Sequence, residues 1–66
     1  MFITVNGSVR EIQERSTIQT LLEELALFEQ KVAIERNGQI VAREQFMHQT
    51  LCDGDVLEFV RFVGGG

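Results

Sequence analysis

Three consecutive glycines, Gly64-Gly65-Gly66, end the sequence directly after an apolar, strand-like run from Val56 to Val63. With glycine at about 7% of residues, a given triplet of positions is all glycine roughly 3 times in 10,000. Half of the chain's six glycines lie here. An α-carboxylate has an unperturbed pKa of about 3.3–3.7, so it is ionised at neutral pH. Such a group can attack the α-phosphorus of ATP held by another protein, giving an acyl-adenylate that is open to nucleophiles. Three extended residues reach at most about 10 Å. Glycine, lacking a Cβ, suits a narrow channel and the unusual φ/ψ values that a tight enclosure imposes. On this reading Gly66 is the residue modified, while Gly64 and Gly65 thread into a partner's active site. A frayed end is the competing reading of the tail taken alone.

The remaining residues offer little catalytic machinery. Cys52 is the only cysteine and His48 the only histidine, which excludes an internal disulfide and a multi-cysteine metal site. Cys52 reads as a small half-buried residue before a turn rather than a reactive thiol. His48 reads as a surface residue. Neither Gly7 nor Gly38 belongs to a G-x-x-x-x-G-K phosphate loop. ATP, its Mg²⁺ and the catalytic groups are therefore expected in partner proteins. The chain is expected to be a carrier and co-substrate, not an enzyme, with no catalytic residue, no metal site and no bound cofactor.

The elements that must present this tail are legible in the hydrophobic pattern. Met1 to Val5 is β-rich and meets Asn6-Gly7, the dipeptide of a type I′ hairpin turn, so Ser8 to Gln13 should return antiparallel. Ile18, Leu21, Leu22 and Leu25 then fall at i, i+3, i+4 and i+7, one stripe of a helix. Ser16 or Thr17 is expected to cap it, with Ser16 and Gln19 at capping-box spacing. Val32 to Arg36 alternates as a half-buried strand and meets a second turn, Asn37-Gly38, with Gln39 to Ala42 as its partner. Arg43 to Gln49 has no clear period and reads as an irregular turn anchored by Phe46. Asp53-Gly54-Asp55 is a third turn, launching the final strand, Val56 to Val63. The order β-β-α-β-β-β predicts an α+β roll: a mixed sheet of about five strands packed on one main helix. Residues 1–63 form the expected domain and 64–66 a flexible tail.

At 66 residues the chain is one small domain, with a thin core and no room for a deep cleft. A hydrophobic fraction of 44% with 24% charged residues suits a folded, soluble domain. The net charge of −4 disfavours nucleic acid and favours basic protein surfaces as partners. No apolar run approaches the ~20 residues that span a bilayer, and no signal peptide is apparent. No membrane association and a cytoplasmic location are the expectations.

In the last strand, alternation puts Leu57, Phe59 and Val63 on one face and Glu58, Val60 and Phe62 on the other. One helix covers only one side of a sheet. Leu57 and Phe59 are thus assigned to the core with Ile3, Val5, Ile18, Leu21, Leu22 and Leu25. Glu58, Val60 and Phe62 remain on the open side as a docking patch, with Arg61 as a further rim residue.

Taken together, these residues resemble the ThiS family of sulfur carriers in thiamine biosynthesis, which are ubiquitin-like β-grasp proteins. The resemblance covers the whole chain. It rests on Val5-Asn6-Gly7, the Thr17 to Leu25 helix with Leu21-Leu22 and Glu24-Leu25, Asn37-Gly38-Gln39-Ile40-Val41 followed by Arg43, Asp53-Gly54-Asp55, and the Gly-Gly terminus. The family often has Pro where Ala42 stands and Trp where Phe46 stands. The resemblance implies that a ThiF-like enzyme adenylates Gly66 using ATP. A persulfide sulfur drawn from cysteine by a cysteine desulfurase system then displaces AMP to leave a C-terminal thiocarboxylate. ThiG, the thiazole synthase, accepts that sulfur. Three other readings stay open: a MoaD-like carrier of molybdopterin synthesis, a non-covalent β-grasp interaction module with an inert tail, and conjugation of Gly66 to a target lysine.

Overall fold

Each Asn-Gly pair makes the hairpin its sequence predicts. Asn6 and Gly7 have φ of 48° and 84°, and Asn37 and Gly38 have 52° and 86°, the paired left-handed conformations of a type I′ turn. In the computed structural model, which describes residues 1–27 and 31–61, the first turn joins β1 (Phe2–Val5) to β2 (Ser8–Glu11). The second joins β3 (Val32–Arg36) to β4 (Gln39–Ile40). Between the hairpins lies α1 (Ile18–Glu24), and β5 (Val56–Arg61) completes the set. Val63 and the expected boundary between residues 1–63 and 64–66 lie outside the described residues.

The sheet has the order β2-β1-β5-β3-β4. β5 runs parallel to β1 and antiparallel to β3, so the last strand fills the slot between the two hairpins. This is the mixed five-stranded β-grasp roll that the sequence predicts. The apolar stripe of α1, Ile18, Leu21 and Leu22, is buried against Ile3, Ile34 and Leu57, each at 1% exposure or less. Burial of a side chain of this size stabilises by about 1.5–3 kcal/mol. Phe59 joins the core as expected, whereas Val5 and Leu25 pack against it only in part. Ile12, Val32, Phe46 and Leu51 complete it.

Of the two expected caps Thr17 is the one used, and the capping box is shifted by one residue from the expected Ser16 and Gln19: the Thr17 hydroxyl accepts from the Thr20 amide at 3.1 Å, and Thr20 Oγ1 accepts from the Thr17 amide at 2.8 Å. Ser16 instead donates to the Gln13 carbonyl at 2.6 Å. A threonine hydroxyl thus performs the role that Gln19 was expected to take. At the other end the Leu27 amide donates to Leu22 O and the Ala26 amide to Glu23 O, the two bonds of a Schellman motif. Ala26 occupies the left-handed position, φ 58°, where glycine is usual.

Residues 43–51 are less irregular than the sequence suggests. A single 3₁₀ turn, Arg43–Gln45, places Phe46 in the core. The segment is tied to the start of α1 by hydrogen bonds from Ile18 N to Gln49 O, Gln19 N to Phe46 O, and Leu51 N to Ser16 O. Among the described residues no helix is long and apolar enough to cross a membrane.

Candidate functional site

β5 carries the chain toward its glycine tail, and three groups of interactions hold it. At its start, Asp55 is a buried carboxylate, 6% exposed. Its Oδ2 accepts from the Cys52 amide at 2.8 Å and from Arg36 Nε at 2.9 Å, and its Oδ1 from Asn37 Nδ2 at 3.1 Å. Arg36 Nη2 lies 2.9 Å from the same Oδ2. Burial alone would raise the pKa of this carboxyl, but the Cys52 amide, the Asn37 amide and the Arg36 guanidinium together hold it below its ordinary value. The sequence shows Asp55 only as part of a turn. Its role depends on Arg36 and Asn37, some twenty residues away.

The two hairpin asparagines supply the other two groups. Asn37 Oδ1 accepts from the Val56 amide at 2.9 Å, at the first residue of β5. Asn6 Oδ1 accepts from the Phe59 amide at 2.7 Å, while its Nδ2 donates to the Phe59 carbonyl at 3.2 Å. Both residues were read as turn formers alone. In the fold each also sends its amide across to the central strand, a use that turn chemistry does not signal.

The face of the sheet opposite α1 is open. Alternation and register place Phe2, Val9, Ile40, Val56 and Val60 on it, each between 45% and 77% exposed. These five side chains give that face an exposed apolar character. Val60, at 56% exposure, and Glu58, also exposed, lie where the sequence put them. Phe62, Gly64, Gly65 and Gly66 lie outside the described residues. Arg61 belongs to the other face: it lines a groove on the helix side with Val5, Asn6, Leu25, Leu27 and Phe59. Period-two alternation puts it there, opposite the rim position expected.

Glu58 has a neighbour that sequence reasoning missed. Glu35 of β3 stands directly across from it in the register, and no strand position on this face of the described sheet carries a Lys or Arg. Like charges directly opposed across a strand pair are destabilising. A partner presenting basic groups at this point would relieve them. The signal existed in the alternation of Val32 to Arg36, but which strand would lie beside β5 did not.

Cys52 is exposed rather than half-buried. Its backbone amide is engaged by Asp55 and its sulfur lies 3.5 Å from Arg36 Nη2. His48 is exposed as expected. Among the described residues no three His, Cys, Asp or Glu side chains converge as a metal site.

Comparison with known proteins gives a consistent picture. The ThiS family profile matches residues 3–66. The sulfur carrier protein ThiS of Bacillus subtilis is 42% identical over 65 residues, which are 97% of this chain and 98% of that protein. A thiazole synthase of Paramagnetospirillum magneticum is 41% identical over 66 residues, all of this chain but only 20% of the synthase. The crystal structure of a thiamine biosynthesis protein, ThiS, from Geobacter metallireducens superposes with a TM-score of 0.84 at 38% identity, covering 100% of both chains.

Proposed function

The chain belongs to the ThiS family, and from that premise we propose that it is a sulfur carrier for thiazole formation in thiamine biosynthesis, with Gly66 as the point of attachment. An oxygen of the Gly66 carboxylate attacks the α-phosphorus of ATP on a ThiF-like enzyme, and pyrophosphate leaves. The terminal sulfur of a persulfide, supplied by a cysteine desulfurase system, then attacks the acyl carbon and AMP leaves. A thiol cleaves the resulting S–S bond, leaving the thiocarboxylate and a disulfide. The carrier supplies no catalytic group and binds no cofactor; ATP and Mg²⁺ belong to the activating partner. A thiocarboxylate keeps the sulfur nucleophilic and addressable by protein docking.

The observation that carries this reading is the family match running over residues 3–66, through the Gly-Gly-Gly end. The thiazole synthase ThiG is the proposed acceptor in preference to a molybdopterin synthase. A segment 41% identical to this whole chain is part of a protein that is itself a thiazole synthase. Gly64 and Gly65 are proposed to thread into the partner's active site. The open sheet face around Glu58 and Val60, with Phe62 as its continuation, is the proposed docking patch. Its charge suits a partner with a basic rim, and the proposed setting is the cytoplasm.

The test is the intact mass after incubation with ATP, Mg²⁺, a ThiF-like enzyme and a sulfur source, beside a variant lacking Gly66. Replacement of one oxygen by sulfur, localised to Gly66 and absent from the variant, is the expected result. No thiocarboxylate, with an activating enzyme competent on another carrier, would overturn it in favour of a non-covalent module.

A further inference from the structure

We propose that Asn6 is a positioning residue for the chemistry at Gly66: its side-chain amide acts as one extra rung of the sheet and sets the direction in which the last strand leaves the fold. The inference rests on the carrier reading above. The parallel ladder between β1 and β5 pairs only Thr4 with Val56 and Val5 with Leu57. The Asn6 amide then donates to the Leu57 carbonyl at 3.0 Å, and the chain turns away through Asn6-Gly7. Without further help, β5 beyond Leu57 would have no partner on that side.

The Asn6 side chain fills the gap. A carboxamide has the donor and acceptor of a peptide group, and here it meets both the N–H and the C=O of Phe59, 53 residues away. On its other edge β5 remains paired with β3 as far as Arg61, opposite Val32. β5 is thus paired along both edges as far as Phe59, two residues before the end of the strand. Phe59 is the fixed point from which the sequence runs on to Gly66. An activating site that must align one carboxylate with the α-phosphorus gains from this, because misplacement by about 1 Å can cost on the order of 100-fold in rate.

Asn6→Gly separates the clamp from the turn, since glycine takes a φ of 48° without strain and only the amide is lost. Asn37→Gly is the matched control: it removes the other hairpin asparagine, which holds Val56 at the far end of the strand. Thiocarboxylate formation is measured against carrier concentration with a ThiF-like enzyme, ATP, Mg²⁺ and a sulfur source, and backbone amide exchange by NMR. For Asn6→Gly the expected result is a kcat lower by about tenfold or more with KM within about threefold, because docking through the sheet face is retained. Exchange at Phe59 accelerates, and Asn37→Gly keeps kcat within about twofold. Unchanged kcat in folded Asn6→Gly, or an equal loss in Asn37→Gly, would overturn the proposal. If Asn6→Gly does not fold, Asn6→Asp serves instead: it keeps the turn and the acceptor but loses the donor to Phe59, and a lower kcat at similar KM is again expected. If the unaltered protein forms no thiocarboxylate, the carrier reading fails by itself. The exchange data then decide the clamp: faster exchange at Phe59 upholds it, and unchanged exchange there sinks it.

Discussion

Replacing Asp55 by Asn should unlatch the base of the strand that carries the tail. The substitution keeps the volume and one oxygen, so it tests charge rather than packing. With the remaining oxygen facing Arg36 and the Cys52 amide, the new NH₂ opposes Asn37 Nδ2, and one hydrogen bond is lost along with the whole ion pair. Hydrogen bonds to charged groups contribute about 1.5–3 kcal/mol, and breaking a fully buried pair costs about 3–5 kcal/mol. The Arg36 side chain is 20% exposed, so water partly rescues it, and a loss of about 2–3 kcal/mol is expected. For a domain this small that lowers Tm by roughly 8–24 °C. The assay is urea unfolding at neutral pH, comparing midpoints at constant slope. The pH dependence follows from the lowered pKa. The stabilisation from ionised Asp55 is fully present above the unfolded carboxyl value, near 3.8, and is lost as pH falls through the lower folded value. The gap between native protein and variant should therefore narrow steadily as pH falls below that unfolded value. A loss under about 0.5 kcal/mol at neutral pH, or a gap that persists undiminished in acid, would refute the reasoning.

Three further outcomes are expected. Val60→Asp, at a side chain 56% exposed, should leave the unfolding free energy from urea titration within about 1 kcal/mol of the native protein's and abolish binding to the activating enzyme in calorimetry. Glu58→Gln should relieve the repulsion with Glu35 and stabilise the free protein by a few tenths of a kcal/mol. The same change should slow association with a basic partner, most visibly at low salt in stopped-flow mixing. Ala26→Gly should raise stability by about 0.5–1 kcal/mol, because glycine removes the left-handed strain at the helix end; thermal unfolding checks it.

Much of the architecture was legible in order along the chain. Two Asn-Gly pairs announced two hairpins, and the 3.6-residue spacing of Ile18, Leu21, Leu22 and Leu25 announced the helix. Both signals are local, so the sequence displays them directly. The helix ends were less legible because several short polar residues compete for the same cap, and Thr17 with Thr20 prevailed over Ser16 with Gln19. Arg61 was misplaced although the alternation that places it was visible. Cys52 was expected half-buried but is exposed, because the turn it enters is held by its backbone amide on Asp55 and needs no burial of its side chain.

By itself the sequence determined the strands, the hairpin turns and the main helix, the face of β5 that is buried, the exposed positions of Glu58 and Val60, and the family. These follow from periodicity and from short-range turn chemistry, which need no knowledge of the neighbours. The tertiary structure alone decided which strands flank β5, and with that everything that depends on contacts between distant residues. It opposed Glu35 to Glu58, gathered Arg36, Asn37 and Cys52 around Asp55, and laid the Asn6 amide on Phe59. A pairing between residues tens of positions apart leaves no local period, since it exists only once a strand from the end of the chain has been inserted between two hairpins made earlier in it.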